Sequence, residues 1–142
     1  MFIDASVIVA ILAREPGYEE ILNRLGSDAG SFLMSPLVRF EATISLARKK
    51  AVTIGKDSRT TGEQVVLAKA AVDEFIAALG AEEVPISPEI GEIAIAAALT
   101  YGKAVGHPAD LNFGDCFAYG CAKATGTRLI YKGNDFALTD LA

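Results

Sequence analysis

Four acidic residues stand where an α/β protein gathers its ligands, at the carboxyl ends of strands and the first turns of helices. Asp4 follows a short apolar segment, and Asp135 follows a β-prone segment near the other end of the chain. Asp115 precedes an apolar run with helical spacing, so the dipole of that helix favours its carboxylate. Glu41 falls on the second turn of another predicted helix. We expect these four side chains to face one edge of a sheet.

Carboxylates crowded at one site repel one another and raise each other's pKa unless a divalent cation neutralises them. The chain has one histidine and two cysteines, the latter five residues apart, which offers no nitrogen or sulfur cluster for zinc. Oxygen ligands favour Mg²⁺ or Mn²⁺. Such an ion lowers the pKa of a bound water and polarises a phosphate oxygen, so the acids indicate phosphodiester hydrolysis.

Each acid also has a purely structural interpretation. Asp4 suits a helix cap or a turn, Asp115 a helix N-terminus, and Asp135 a turn. Glu41 could lie on a solvated helix face. It is nevertheless the most informative of the four, because apolar residues flank it on both sides and place it beside a buried stripe.

Strands and helices alternate along the whole chain. The predicted strands are residues 1–4, 31–34, 83–86 and 128–131, and helices are predicted at 7–12, 18–25, after Ser35-Pro36, at 61–79, after Ser87-Pro88, and from Asp115 until Gly126. Ser6 is the predicted cap of the first helix. This alternation predicts a three-layer α/β/α fold with a central parallel sheet of four to five strands and right-handed crossovers, built as one domain over residues 1–142.

Composition narrows the function classes. The chain has 142 residues, of which 51% are hydrophobic, and we find neither a leader pattern nor an apolar run long enough to span a membrane, so we expect a cytoplasmic protein. A net charge of −5 argues against holding nucleic acid by bulk electrostatics alone. One segment is locally basic, either as a solvated helix face or as a patch that contacts phosphates or a partner; its residues are Arg39, Arg48, Lys49, Lys50, Lys56 and Arg59.

Four segments together resemble the PIN-domain ribonucleases and, more narrowly, the VapC toxins of bacterial type II toxin–antitoxin pairs. They are residues 1–6 (MFIDAS), 35–42 (SPLVRFEA), 111–120 (LNFGDCFAYG) and 129–141 (LIYKGNDFALTDL). The resemblance implies a PIN-like fold and an endoribonuclease that depends on Mg²⁺ or Mn²⁺. It also implies a homodimer silenced by a VapB-type antitoxin. The acids of that family carry over to Asp4, Glu41 and Asp115 as catalytic, metal-binding residues.

The fourth acid departs from the family pattern. Many PIN domains place an acid two residues after a Thr that ends the last strand, and this chain has Tyr131 and Gly133 at those positions. Asp135 is the nearest acid, so it is the fourth predicted site residue, with Asn134 as a substitute or water-mediated ligand. Further candidates for contact with substrate or with the acids are Ser6, Asn112, Arg39 and Lys132; the two cations could meet RNA phosphates or pair with the acids.

Two enzyme classes of similar fold fit less well. A phosphoaspartyl phosphatase uses a second Asp two residues after the first, where this chain has Ser6, and a signal-receiver domain requires paired acids near the first strand. The remaining alternative is a non-catalytic, metal-stabilised PIN-like module that binds RNA or a protein partner. Apolar faces on the helices after Ser35 and Thr61 exceed what one thin sheet covers, which favours a homodimer.

Overall fold

The computed structural model describes residues 1–28, 30–55 and 59–142; Lys56 of the basic segment lies outside these ranges. Four short strands are present within these ranges: β1 Phe2–Ile3, β2 Leu33–Met34, β3 Glu82–Glu83 and β4 Leu129–Ile130. They form one parallel sheet in the order β3–β2–β1–β4. Phe2 pairs with both Leu33 and Leu129, so β1 is central, and its two side chains are almost completely buried. The exposed edge strand β3 carries two charged residues, which disfavours pairing with another chain.

In the described part of the chain, six α-helices connect and cover the strands. They are α1 Ala5–Leu12, α2 Tyr18–Ser27, α3 Pro36–Ile54, α4 Gly62–Leu79, α5 Pro88–Tyr101 and α6 Phe113–Ala124, with a 3₁₀ turn at Lys103–Val105 before α6. The Ser-Pro pairs begin α3 and α5 as predicted. The hydroxyl of Ser35 accepts a hydrogen bond from the N–H of Val38, and Ser87 does the same for Ile90. Thr61 and Gln64 form a capping box at the start of α4.

Helices cover both faces of the sheet. α1 packs against α2, α3 and α4, whereas α5 packs against α6. The crossovers from β1 to β2 to β3 run one way across the sheet, and the return from β3 to β4 runs the other way. With the right hand that parallel crossovers take, α1 to α4 lie on one face and α5 and α6 on the other. The predicted α/β fold with a parallel sheet is therefore confirmed. The order in which strands are added to the sheet reverses between β1 and β4. Open α/β sheets bind ligands in the crevice at such a switch point.

Two local expectations need correction. Ser6 does not cap α1: the helix begins immediately after β1, so Asp4 is the N-cap, and its carboxylate accepts a hydrogen bond from the N–H of Ser6. The strands are also shorter than predicted, because only two residues of each lie in the paired ladder before the chain turns into a helix or loop. Within the described residues, no helix combines the length and apolar character that crossing a membrane requires.

Candidate active site

A cavity of about 450 Å³ lies at the carboxyl edge of the sheet, beside β1 and β4. All four predicted acids line it: Asp4, Glu41, Asp115 and Asp135. We refer to it as the acidic cavity. Among the ion pairs between described residues, none involves any of these four carboxylates. Unpaired negative charge is thus concentrated where the topology of the sheet favours ligand binding.

Asp4 is fixed at the floor of the cavity by its position between β1 and α1. Its side chain is buried, and one carboxylate oxygen accepts a hydrogen bond from the N–H of Ser6 at 2.8 Å. Burial raises the pKa of Asp4 most, and the hydrogen bonds from Ser6 oppose that rise. The charge of Asp135 adds to the increase. A buried, under-neutralised carboxylate of this kind is stabilised by a cation.

Asp115 is held by a reciprocal capping box at the start of α6. Its Oδ2 accepts a hydrogen bond from the N–H of Asn112 at 2.8 Å, and Oδ1 of Asn112 accepts from the N–H groups of Gly114 and Asp115. Burial, followed by the charges of Asp4, Asp135 and Asp110, raises the pKa of Asp115 to about 6, against the hydrogen bond from Asn112. Asn112 also lines the cavity, so it positions Asp115 from within the site.

Glu41 reaches the same place from the other face of the sheet, on α3. Burial and then the charges of Asp4 and Asp115 raise the pKa of Glu41 to about 7. Its carboxylate lies against the first turn of α6: a Cβ added at Gly114 would be 1.9 Å from Oε1 of Glu41. Only glycine leaves room for this approach, and the N-terminus of α6 favours a negative charge there.

The loop after β4 contributes Asp135 but not Asn134. Asp135 lines the cavity and is exposed, whereas Asn134 is exposed and outside the cavity lining. The structure therefore does not bring Asn134 to the acids. Ser6 links this loop to α1, because its hydroxyl accepts a hydrogen bond from the N–H of Lys132 at 3.0 Å.

Arg39 is not at the site. Its guanidinium lies 3.3 Å from Asp73 of α4 and 3.5 Å from Glu83 of β3, and it is outside the cavity lining. The reason is helical geometry: Arg39 precedes Glu41 by two residues and so projects from α3 at about 160° to it. The expectation that Arg39 lies near the acids is wrong on this point.

Sequence reasoning did not place several residues at the cavity, including Lys49, which was noted only as part of the basic segment. Ser45 and Lys49 line it together with Glu41, and their spacing of i, i+4 and i+8 keeps all three within an arc of about 80° on α3. That periodicity was the available signal. Glu15, in the turn between α1 and α2, also lines the cavity, and only the tertiary structure reveals its position. Gly114, the residue before Asp115, leaves space for Glu41, and no sequence signal indicated that contact.

The donor set fits a hard divalent cation. Carboxylate oxygens from four separate elements surround the cavity, and burial makes their shared negative charge unfavourable. Within 1–28, 30–55 and 59–142, no three Asp, Glu, His or Cys side chains are gathered closely enough to form a complete site by themselves. Mg²⁺ usually keeps several of its waters and does not need a complete cage of protein ligands, so an open site suits it.

Comparisons with known proteins identify the family of this chain. A model of the PIN domain family matches residues 1–141. A VapC ribonuclease of Rhizobium meliloti is 52% identical over 141 residues, which cover 99% of this chain and 98% of that protein. Ribonuclease VapC30 of Mycobacterium tuberculosis is 35% identical over 142 residues, which cover 100% of this chain and 96% of the relative.

Solved structures show the same fold. The crystal structure of VapC20 of Mycobacterium tuberculosis, described as a toxin that cleaves the sarcin–ricin loop, superposes with a TM-score of 0.69 at 14% identity and covers 96% of this chain and 92% of that one. A chain of a toxin–antitoxin complex from Klebsiella pneumoniae gives a TM-score of 0.65 at 17% identity and covers 99% of this chain and 92% of that one. At these identities the two structures support the fold.

Proposed function

The chain belongs to the PIN-domain family and, within it, to the VapC ribonucleases, and we propose that it is a metal-dependent endoribonuclease, the toxin of a type II toxin–antitoxin pair. One observation supports this most strongly. Four carboxylates from different parts of the chain line one cavity without an ion-pair partner, and three of them have a raised pKa. Buried charges are usually paired or coordinate a metal, so unpaired buried carboxylates favour a cation site.

Asp4, Asp115 and Asp135 are the residues that would hold the cation, with Glu41 at its edge. When bound, Mg²⁺ or Mn²⁺ would supply charge to the phosphate oxygens and a water of lowered pKa. Glu41, whose carboxylate borders the same cavity as the proposed cation ligands, would orient the attacking water and accept its proton. Asn112 keeps Asp115 oriented, and Asp4 is fixed by Ser6, so little reorganisation is required.

The proposed partners are an RNA substrate, a VapB-type antitoxin and a second copy of the chain. Large apolar side chains, each more than half exposed, occur on α3 and α4 as expected and also on α5 and α6: Phe40, Ile54, Val66, Leu67, Ile95, Leu99 and Phe113. α5 and α6 also flank an apolar groove of about 630 Å³. This much exposed apolar surface supports association. Light scattering at roughly tens of micromolar tests it, since a dimer with a Kd near ~1 μM is then mostly assembled and a strict monomer would contradict it.

The test of the catalytic proposal is cleavage of total cellular RNA by the purified protein. We expect strand breaks with Mg²⁺ or Mn²⁺, none with EDTA, and recovery when the ion is added in excess. Cleavage that survives chelation would refute the metal-dependent mechanism. RNA binding without cleavage under every ion condition would favour the non-catalytic PIN-like module instead.

A further inference from the structure

A pair of lysines borders the acidic cavity, and the function proposed above does not use it. Lys49, on α3, and Lys132, after β4, both line the cavity, and they are the cations among the described residues of its lining. Both ammonium groups contact one carboxylate, that of Glu15: Lys49 meets Oε1 and Lys132 meets Oε2. The three side chains, which we call the Glu15 bridge, join three elements that are distant in sequence.

We propose that Lys49 and Lys132 form a binding subsite for a backbone phosphate of the RNA strand, and that the carboxylate of Glu15 occupies this subsite in the free protein. This inference rests on the proposed ribonuclease function and deepens it by locating where the strand is held beside the cleavage site. The ligand is defined by its chemistry: a phosphodiester anion on a strand that enters the acidic cavity.

The first argument is electrostatic. A polyanion must approach a protein of net charge −5 at the point where four carboxylates are concentrated. A divalent cation neutralises the acids but leaves the neighbouring phosphates of the strand without a partner. Lys49 and Lys132 border the same cavity and supply positive charge there.

The second argument is geometric. Lys49 follows Glu41 by eight residues on the same side of α3, which separates their backbones by about 12 Å along the helix axis. Lys132 is anchored from the opposite side, because its N–H donates to the hydroxyl of Ser6, whose own N–H donates to Asp4. The backbones of both lysines are therefore held at fixed positions relative to the acids, and that of Lys49 lies further along the cavity than that of Glu41.

The third argument concerns Glu15 itself. One carboxylate between two ammonium groups leaves an excess of one positive charge. Hydrogen bonds from Lys132 and then Lys49 lower the pKa of Glu15, so it stays ionised at neutral pH. A carboxylate oxygen pair and a phosphate oxygen pair offer the same acceptors to lysine. The side chains of Glu15 and Lys132 are 21% and 29% exposed, and that of Lys49 is 50% exposed, so solvent and an incoming strand can reach the lysines.

The simpler interpretation is that the Glu15 bridge only fastens the turn after α1 to α3 and β4. The two interpretations predict opposite signs for one substitution. If the bridge is only structural, Glu15→Gln loosens the turn and weakens RNA binding. If Glu15 occupies a phosphate subsite, the same substitution removes a competitor and tightens RNA binding.

The experiment measures the anisotropy of a fluorescein-labelled, mixed-sequence, single-stranded oligoribonucleotide with the full chain in an Asp115→Asn background, so that binding is observed without cleavage. In Mg²⁺ at moderate salt we expect Lys49→Gln and Lys132→Gln each to raise the Kd about five-fold. Each should also reduce the slope of log K against log salt by about 0.7. Glu15→Gln should lower the Kd about three-fold.

Three controls complete the design. Lys69→Gln removes an exposed lysine that pairs with Asp73 on α4, outside the cavity, and should leave the Kd unchanged. Lys49→Arg and Lys132→Arg keep the charge and should restore binding, which distinguishes lost contact from lost folding. Thermal unfolding of each variant identifies any that fail to fold. If a glutamine variant does not fold, RNA binding by the corresponding arginine variant tests the subsite instead.

An unchanged Kd and salt slope in both glutamine variants would overturn the proposal, and so would weaker RNA binding by Glu15→Gln. If the wild type cleaves RNA with Mg²⁺ but the lysine variants bind RNA with unchanged affinity, the subsite is wrong and the ribonuclease function is kept. If the lysine variants lose RNA binding but the wild type never cleaves, the ribonuclease function fails and the subsite stands.

Discussion

The carboxylates of this protein lie in two contrasting environments. In the acidic cavity, Asp4, Glu41 and Asp115 have no ion-pair partner, and burial raises the pKa of each. Near the C-terminus, Asp140 accepts a hydrogen bond from the hydroxyl of Tyr119 at 2.8 Å and one from Lys123 at 2.6 Å. These contacts, the one from Lys123 foremost, lower the pKa of Asp140. We call Tyr119, Lys123 and Asp140 the Asp140 cluster.

The same chemical group therefore has opposite energetic consequences in the two places. Ionisation of Asp140 stabilises the fold, because a cation and a donor face it. Ionisation of Glu41 and Asp115 destabilises it, because each charge is partly buried beside others of the same sign. A folded protein keeps such a cost where it serves a function, and the cavity lies at the switch point of the sheet.

The largest expected difference between the two regions is in activity. Asp115→Asn keeps the size of the side chain and removes its charge, so we expect RNA cleavage to fall on the order of 1,000-fold. Asp140→Asn is the matched substitution outside the cavity and should retain cleavage within about two-fold. Rates of RNA cleavage in Mg²⁺ check both. Similar losses of cleavage in the two variants would show that the acidic cavity is not the catalytic site.

A smaller effect is expected from Gly114→Ala. The new methyl group would meet the carboxylate of Glu41, which is the mobile end of a side chain and can move away without disturbing the backbone. We expect a roughly 10- to 100-fold loss in kcat, because Glu41 is displaced from its position against α6. Gly91→Ala, where an added Cβ meets nothing within 4 Å, is the control and should cleave as the wild type does. A Gly114→Ala variant with unchanged kcat would remove Glu41 from the mechanism.

The smallest expected effect is on the stability of the metal-free protein. Removing a charge should stabilise the protein in the acidic cavity and destabilise it in the Asp140 cluster. The pKa of Glu41 rises from 4.5 to about 7 on folding, so the contribution of Glu41 to stability is most favourable below about pH 4.5 and is lost as the pH rises towards 7. In EDTA at pH 8, Glu41→Gln should stabilise the protein by on the order of 2 kcal/mol after allowance for solvent screening, or roughly 5 °C in Tm.

Asp140→Asn provides the comparison for this measurement. Because the pKa of Asp140 is lowered in the folded protein, its contribution to stability is present above pH 3.8 and is lost only as the pH falls further. Its side chain is about half exposed, so the substitution should destabilise the protein at pH 8 by less than about 1 kcal/mol. Thermal unfolding at pH 5 and pH 8 checks both variants. A Glu41→Gln protein that is less stable than the wild type at pH 8 would contradict the description of the cavity as repulsive.

The sequence predicted what local signals encode. Asp4 and Asp135 follow apolar segments that became β1 and β4, and Asp115 begins a helix, so the topology of a parallel sheet was enough to bring them to one edge. Ser-Pro pairs identified the starts of two helices, since the serine caps and the proline suits the first turn.

Local sequence signals could not predict the contacts between helices, strands and loops. The approach of Glu41 to Gly114 depends on how α3 meets α6, and the Glu15 bridge depends on how a turn, a helix and a loop meet. Arg39 illustrates the limit: proximity to Glu41 in sequence suggested proximity in space, whereas the helical period placed it on another face, beside Asp73. The apolar surface of α5 and α6 was likewise invisible before their packing was known.

Binding of Mn²⁺ to the RNA-free protein tests most directly whether the acidic cavity is a cation site. Isothermal titration at pH 7.5 compares the wild type with Asp115→Asn and Asp140→Asn. We expect saturable binding to the wild type and to Asp140→Asn, and at least about ten-fold weaker binding to Asp115→Asn, because a carboxylate ligand has been removed. Equal affinity for Mn²⁺ in the wild type and in Asp115→Asn would contradict the account.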